Sequence, residues 1–116
     1  MTRASCSNTK APELPSKARL AEMIEEATVD AYDESEQAQG WSAVLDDCLT
    51  LPFVTRVLGI EVQVTKIDLR DDNRLVALCS HGRERQAIDL ADLPRPSPRP
   101  EGWGWVEAYR SWLGKL

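Results

Sequence analysis

The first half of the chain carries an apolar ladder with helical spacing. Its apolar residues recur at alternating steps of three and four, which is the period of one helix face. They are Leu20, Ile24, Ala27, Ala31, Ala38, Trp41 and Leu45. Ser16 precedes the ladder and is expected to cap a helix there. The step that would join Ala31 to Ala38 falls on Glu34, so a charged residue interrupts the apolar series.

Glu34 allows two readings of this region. In one continuous helix its carboxylate would be buried at a cost unless it were paired or bound to a metal. A break near residues 28–32 would instead place Glu34 in the first turn of a second helix. One helix over residues 17–47 would be about 46 Å long at 1.5 Å per residue, which exceeds the roughly 35 Å expected across a domain of this size. Length and the β-branched pair Thr28–Val29 favour two helices.

The second half changes to the alternating pattern of strands. Four short runs predict antiparallel strands at residues 53–57, 61–67, 74–79 and 85–90. Residues 71–73 predict a turn, and Ser80–Arg83 predicts a tight hairpin turn in which Gly82 supplies positive φ. These runs indicate a small antiparallel sheet or an SH3-like partial barrel.

The C-terminal region combines prolines with aromatic residues. Prolines at positions 94, 96, 98 and 100 predict an extended stiff connector, or else a ligand for an aromatic groove in another protein. Trp105, Tyr109 and Trp112 are spaced i, i+4, i+7 and predict a helix whose aromatic face packs on the sheet.

The expected fold class is therefore α+β. Acidic N-terminal helices would pack on the sheet, and the aromatic helix would close the chain. Residues 1–15 read as a disordered tail without periodicity, and residues 16–116 as a single domain.

Charge is distributed unevenly along the chain. Residues 20–55 contain nine carboxylates and no lysine, arginine or histidine, in a protein whose formal net charge is −5. The carboxylates are Glu22, Glu25, Glu26, Asp30, Asp33, Glu34, Glu36, Asp46 and Asp47. Such a block repels nucleic acid, and its counter-charge must be metal ions or a basic protein partner.

The remaining composition excludes several classes. No apolar run approaches the ~20 residues of a membrane span, and no apolar signal region opens the chain, so we expect a cytoplasmic protein with no membrane partner. The three separated cysteines argue against a disulfide scaffold, and Cys48 and Cys79 are expected to be small core residues. His81 is the single histidine, which argues against an ordinary zinc site. Without a nucleophile–base pair or a phosphate-binding loop, we expect no enzyme.

The most specific string is VDAYDESEQAQGW, which runs from Val29 to Trp41. It resembles the signature of a small family of bacterial calcium-binding proteins of the cyanobacterial type, in which VDAYDE, one variable residue and EQ are followed by a GW pair. The resemblance extends more weakly over residues 22–113, although the stretch between Phe53 and Glu61 is shorter here. It implies Ca²⁺ binding without an EF-hand.

The residues of this string independently suit Ca²⁺, which takes six to eight oxygen ligands, preferably carboxylates. If residues 30–37 were helical, Asp30, Asp33 and Glu34 would share one helix face with Gln37, and Glu36 would lie beside it. The candidate metal ligands are therefore Asp33 and Glu34 first, and Asp30 and Glu36 next.

The sequence thus predicts a calcium buffer or sensor. The other acidic residues are expected to supply electrostatic field rather than ligands. Gly40 and Trp41 are expected to close the segment and anchor it to the core. The alternative is an acidic protein-interaction module that docks a basic partner and so mimics nucleic acid.

Overall fold

A computed structural model describes residues 14–114 as three α-helices and a four-stranded sheet. In chain order the elements are α1 (Lys17–Ala27), α2 (Glu34–Cys48), β1 (Phe53–Val57), β2 (Ile60–Leu69), β3 (Leu75–His81), β4 (Glu84–Asp89), a 3₁₀ turn (Leu90–Asp92) and α3 (Trp103–Leu113). This confirms the α+β fold class. No helix in the described part of the chain is long and apolar enough to cross a membrane.

The acidic half forms two helices, as the length argument predicted. Ser16 caps α1 by accepting a hydrogen bond from the backbone N–H of Arg19 at 3.1 Å. The helix stops at Ala27, and the side-chain hydroxyl of Thr28 bonds back to the carbonyl of Ile24 at 2.7 Å. Glu34 is the first residue of α2. Its carboxylate is exposed, so no charge is buried in an apolar seam.

The sheet is an antiparallel meander in the order β1-β2-β3-β4. The turn at residues 71–73 and the hairpin at Gly82, where φ is +59°, lie where the sequence predicted them. The last strand ends at Asp89 rather than Leu90, because the Asp89 side chain caps the 3₁₀ turn that follows.

Aromatic residues join the acidic helices to the sheet. Trp41 on α2 is fully buried and contacts Tyr109 edge-on, with ring centroids 5.6 Å apart, and Trp112 at 5.7 Å. The Tyr109 hydroxyl accepts a hydrogen bond from the backbone N–H of Leu75 at 3.2 Å. The aromatic face of α3 therefore docks on the sheet, as predicted, and also holds α2. This arrangement supports the anchoring role expected of Trp41.

The proline-rich segment is a connector fixed to the fold. Thr55 in β1 donates its hydroxyl to the carbonyl of Pro94 at 2.9 Å, and Pro96 is buried. The Arg95 guanidinium bonds to Glu107 of α3 at 2.8 Å, and the Arg110 side chain donates to the carbonyl of Leu93.

Two further predictions concerned the N-terminal tail and the cysteines. Most of the tail predicted over residues 1–15 lies outside the described residues. Cys79 is a buried free thiol, as expected for a small core residue. Cys48 is also buried in the core, as expected, and it forms a disulfide bond that the sequence did not predict.

Candidate metal site between the acidic helices

The connector between α1 and α2 brings Asp30, one of the four candidate ligands, to the surface. Asp30 has φ of +60°, in the left-handed region that aspartate and asparagine tolerate better than most residues. The turn is closed by a hydrogen bond from the N–H of Ala31 to the carbonyl of Thr28 at 3.1 Å. Asp30 is therefore held outside both helices with its side chain exposed.

Asp33 and Glu36 have a structural task at the start of α2. Asp33 is the N-cap, and its Oδ1 accepts the backbone N–H of Glu36 at 2.8 Å. Glu36 reaches back, and its Oε1 accepts the backbone N–H of Tyr32 at 2.7 Å. This reciprocal arrangement resembles a capping box, with the Glu36 bond displaced by one residue. One oxygen of each carboxylate is thus engaged in starting the helix.

The structure corrects the helix-face argument for the ligands. The condition for a shared helix face, that residues 30–37 are helical, is not met, because Asp30 lies in a turn and Asp33 is extended, with φ of −139°. These two residues therefore do not share a helical face with Glu34. The roles of Asp30, Asp33, Glu34 and Glu36 as metal ligands stay a prediction.

A larger assembly of carboxylates lies on the side of α1 and α2. A half-open groove of about 1250 Å³ runs between the two helices and the connector. Its carboxylates, which define what we call the acidic groove, are Glu22, Glu25, Glu26, Asp30, Asp46 and Asp47. Arg19 is the one basic residue among the described lining residues, and it pairs with Glu22 at 3.3 Å.

The helix ends make this groove attractive to cations. Glu25 and Glu26 lie in the last turn of α1, and Asp46 and Asp47 in the last turn of α2. Neither helix has a basic residue in its last turn. The C-terminus of a helix carries the negative end of the helix dipole, so carboxylates there are unfavourable and cations are favoured. The first turn of α2 is the opposite case, because its positive end already stabilises Glu34 and Glu36.

Gly40 sets how closely the two helices approach. It lies inside α2, where glycine costs about 1 kcal/mol relative to alanine. A Cβ at this position would stand 2.2 Å from the carbonyl oxygen of Ala27, the last residue of α1. No real Cβ tolerates that distance, so the absence of a side chain permits the contact. Gly40 therefore has a structural role, which is to let α1 and α2 approach closely.

The donors of the acidic groove suit Ca²⁺ chemically. They are carboxylate oxygens, the ligand type preferred by hard divalent cations. In their present positions, no three Asp, Glu, His or Cys side chains of residues 14–114 form a group that could hold a metal ion. The residues therefore fit Ca²⁺ by donor type, while side-chain rotation must complete a coordination shell.

From the sequence, the acidic groove residues outside the VDAYDE string were expected to supply electrostatic field and not ligands. Glu25 and Glu26 lie three and four residues after Glu22 on α1, and that spacing places each of them beside Glu22 on the helix surface. The small residues Gly40 and Ala43 mark the matching face of α2. An acidic face on one helix and small residues on the next could have indicated a groove between them. The sequence does not show how the two helices pack, because that depends on tertiary contacts.

The fold and the groove together define an acidic α+β protein with a carboxylate-lined groove between two helices. Comparison with known proteins identifies the family to which the chain belongs. The model of a protein family described as calcium binding, the CcbP family, matches residues 21–113. The chain belongs to this family, and Ca²⁺ is the ion the family binds.

A solved structure supports the fold assignment. The crystal structure of CcbP from Anabaena superposes with a TM-score of 0.65, covering 89% of this chain and 95% of that chain at 20% sequence identity. Identity at that level shows a shared fold alone. A search of curated proteins found no significant match.

Proposed function

We propose that this protein binds Ca²⁺ in the acidic groove and acts as a calcium buffer. The observation that carries the proposal is the position of carboxylates at the C-terminal ends of α1 and α2, with no basic residue in either last turn. A divalent cation at either helix end offsets the side-chain charges there and the negative end of that helix's dipole.

Asp30 is the proposed ligand common to the sequence motif and the groove. It belongs to the VDAYDE string and also lines the groove. Glu25 and Asp46 would contribute from the two helices. Asp33 and Glu36 would contribute less, because their capping bonds compete with metal coordination.

The proposed affinity is modest, and this favours buffering over sensing. Side chains that must converge on the ion lose conformational entropy, so we expect Kd on the order of 10⁻⁵ to 10⁻³ M. Magnesium should compete poorly, because it demands tight octahedral geometry. The helices that carry the donors are anchored in the core by Met23, Ala27, Trp41 and Leu45, so binding requires no change of fold.

Calorimetric titration of metal-free protein with Ca²⁺ in roughly 100 mM salt tests the proposal, since salt screens diffuse attraction at exposed sites. Saturable heat is expected for the wild type. Flat heats and an unchanged melting temperature would contradict calcium binding by this chain.

Two double variants locate the site. Glu25→Gln with Asp46→Asn removes groove charges and should raise Kd by about 10-fold or more. Asp33→Asn with Glu34→Gln keeps an N-cap and should raise Kd by less than about 3-fold. The reverse order of effects would assign the site to the first turn of α2.

Exposed apolar side chains favour a second function, the docking of a basic protein partner. Val29 is 59% and Tyr32 86% exposed, and both flank Asp30 in the connector. An aromatic ring amid carboxylates suits lysine or arginine side chains, which stack on aromatic faces. If this second function holds, Tyr32→Ser should weaken capture of a basic partner while leaving the Ca²⁺ titration unchanged.

A further inference from the structure

We infer that Cys48 is joined to Cys6 by a disulfide, and that this bond is a redox-sensitive tether between the N-terminal segment and the end of α2. Cys48 is the last residue of α2 and is disulfide-bonded. The chain has three cysteines, and Cys79 is a free thiol buried in β3. Cys6, which precedes the described residues, is therefore the partner that the chain itself offers.

The position of Pro15 brings the N-terminal segment to the neighbourhood of Cys48. Pro15 lies against the start of α3, since a Cβ at Gly104 would meet its side chain at 3.2 Å. The carbonyl of Cys48 lies against the same turn, in the space that a side chain at Gly102 would occupy. Cys6 precedes Pro15 by nine positions, a length of chain that spans up to about 30 Å when extended. The sulfur of Cys6 can therefore reach Cys48.

Charge favours the same pairing. Residues 1–13 carry two basic side chains and one acidic side chain. The end of α2 carries Asp46 and Asp47, and its last turn has no basic residue. Cations are favoured at the C-terminus of a helix. A bond at Cys48 would hold the basic segment near this acidic helix end.

The third cysteine does not compete for the bond. Cys79 is only 4% exposed, and burial raises the pKa of its thiol. The thiolate is the form that attacks a disulfide, so a buried thiol with a raised pKa exchanges slowly. The disulfide therefore stays between Cys48 and Cys6 when the protein is oxidised.

Reduction opens the tether by thiol–disulfide exchange with a low-molecular-weight thiol. Cys48 is 6% exposed, so the small thiolate attacks the sulfur of Cys6, and Cys48 leaves as a thiolate that takes up a proton. A second small thiol breaks the mixed disulfide on Cys6, which becomes a thiol, and a small disulfide is released. Two electrons and two protons thus pass to the protein. A low-molecular-weight disulfide reverses both steps. The core of α2 stays anchored by Trp41 and Leu45, so reduction frees the segment without unfolding the protein.

Peptide mapping tests the pairing. The protein is equilibrated with oxidised glutathione, free thiols are alkylated, and trypsin then places the three cysteines on separate peptides, which cover residues 4–10, 20–56 and 75–83. We expect the first two peptides to be joined and the third to be alkylated. A peptide 4–10 that is alkylated or joined to glutathione overturns the inference, as does a peptide 20–56 joined to its own copy or to 75–83.

The melting temperature tests the redox response. Dithiothreitol should lower the melting temperature of the wild type by at least about 5 °C, because it opens a ring of about 43 residues. Cys6→Ser should melt at the temperature of the reduced wild type, with or without dithiothreitol. Cys79→Ala is the matched control and should respond as the wild type does. Near-UV circular dichroism of the buried tryptophans should stay unchanged on reduction. A wild type that ignores dithiothreitol, or a Cys6→Ser variant that still responds to it, overturns the inference.

Discussion

Two carboxylate environments in this protein differ sharply, and the difference separates a charge that stabilises the fold from the charges that we propose bind Ca²⁺. Glu107 on α3 is only 3% exposed, and its Oε2 accepts hydrogen bonds from Trp103 Nε1 at 2.7 Å and Arg95 Nε at 2.8 Å. The lining of the acidic groove holds six carboxylates and one arginine. The carboxylate of Glu107 is held inside the fold by two donors, whereas those of Asp30 and Asp46 in the groove are exposed at the surface.

The environment of Glu107 also sets its protonation. Burial acts to raise the pKa of this carboxyl, but the hydrogen bonds from Arg95 and Trp103 and the charge of Arg110 hold it below the ordinary value. The Arg110 guanidinium lies over the Trp103 ring at 5.6 Å, so the cluster joins α3 to the proline-rich connector. The charge is thus part of the packing of that region.

Removing the charge of Glu107 is expected to have the largest effect on the free energy of unfolding. Glu107→Gln should lower the free energy of unfolding by about 2 kcal/mol, because a buried charge-assisted pair is broken beside the partly exposed Arg95. Asp46→Asn in the acidic groove is the control, with a change within about 0.5 kcal/mol in metal-free protein. Urea denaturation at pH 7 measures both. Equal losses would erase the distinction between the two environments.

Acid should reduce the difference in free energy of unfolding between the wild type and Glu107→Gln. Because the folded pKa of Glu107 lies below the unfolded value of about 4.3, its contribution is fully present above that value. It is lost as pH falls through the folded pKa. The stability difference between wild type and Glu107→Gln should therefore be complete at pH 7 and shrink below about pH 4. A difference that grows in acid, measured by urea denaturation at each pH, would contradict a lowered pKa.

A smaller effect is expected at the start of α2. Asp33→Ala removes the N-cap and should cost about 1 kcal/mol, while Asp33→Asn should cost only a few tenths, since asparagine caps equally well. Thermal unfolding of metal-free protein compares the two variants. If Asp33→Asn lowers the stability as much as Asp33→Ala does, the charge of Asp33 and not its capping hydrogen bond accounts for its contribution.

The smallest effect should have the opposite sign. Glu25→Gln with Asp46→Asn should raise the stability of metal-free protein by about 0.5 kcal/mol, because carboxylates at helix C-termini are unfavourable. The same variant should lose much of the stabilisation that Ca²⁺ gives the wild type. Melting temperatures with and without Ca²⁺ measure both effects. Destabilisation of the metal-free variant would show that these carboxylates support the fold.

The sequence predicted local features better than the site. Helix length and the position of Glu34 predicted the break, and residue periodicity predicted the strands. The shared helix face suggested for Asp30, Asp33 and Glu34 depended on a helix through residues 30–37, and the chain turns there instead. Whether these residues bind a metal stays a prediction. The acidic groove depends on how α1 and α2 pack at Gly40, and the buried charge depends on Glu107 meeting Arg95. Both require tertiary contacts that residue spacing does not encode.

The most direct test of the calcium site is an amide chemical-shift titration of ¹⁵N-labelled protein with Ca²⁺. We expect the largest saturable changes in amide chemical shift at the end of α1 around Glu25, at Asp30 and in the last turn of α2 around Asp46. Shifts confined to the first turn of α2, at residues 34–36, would contradict a site between the two helices.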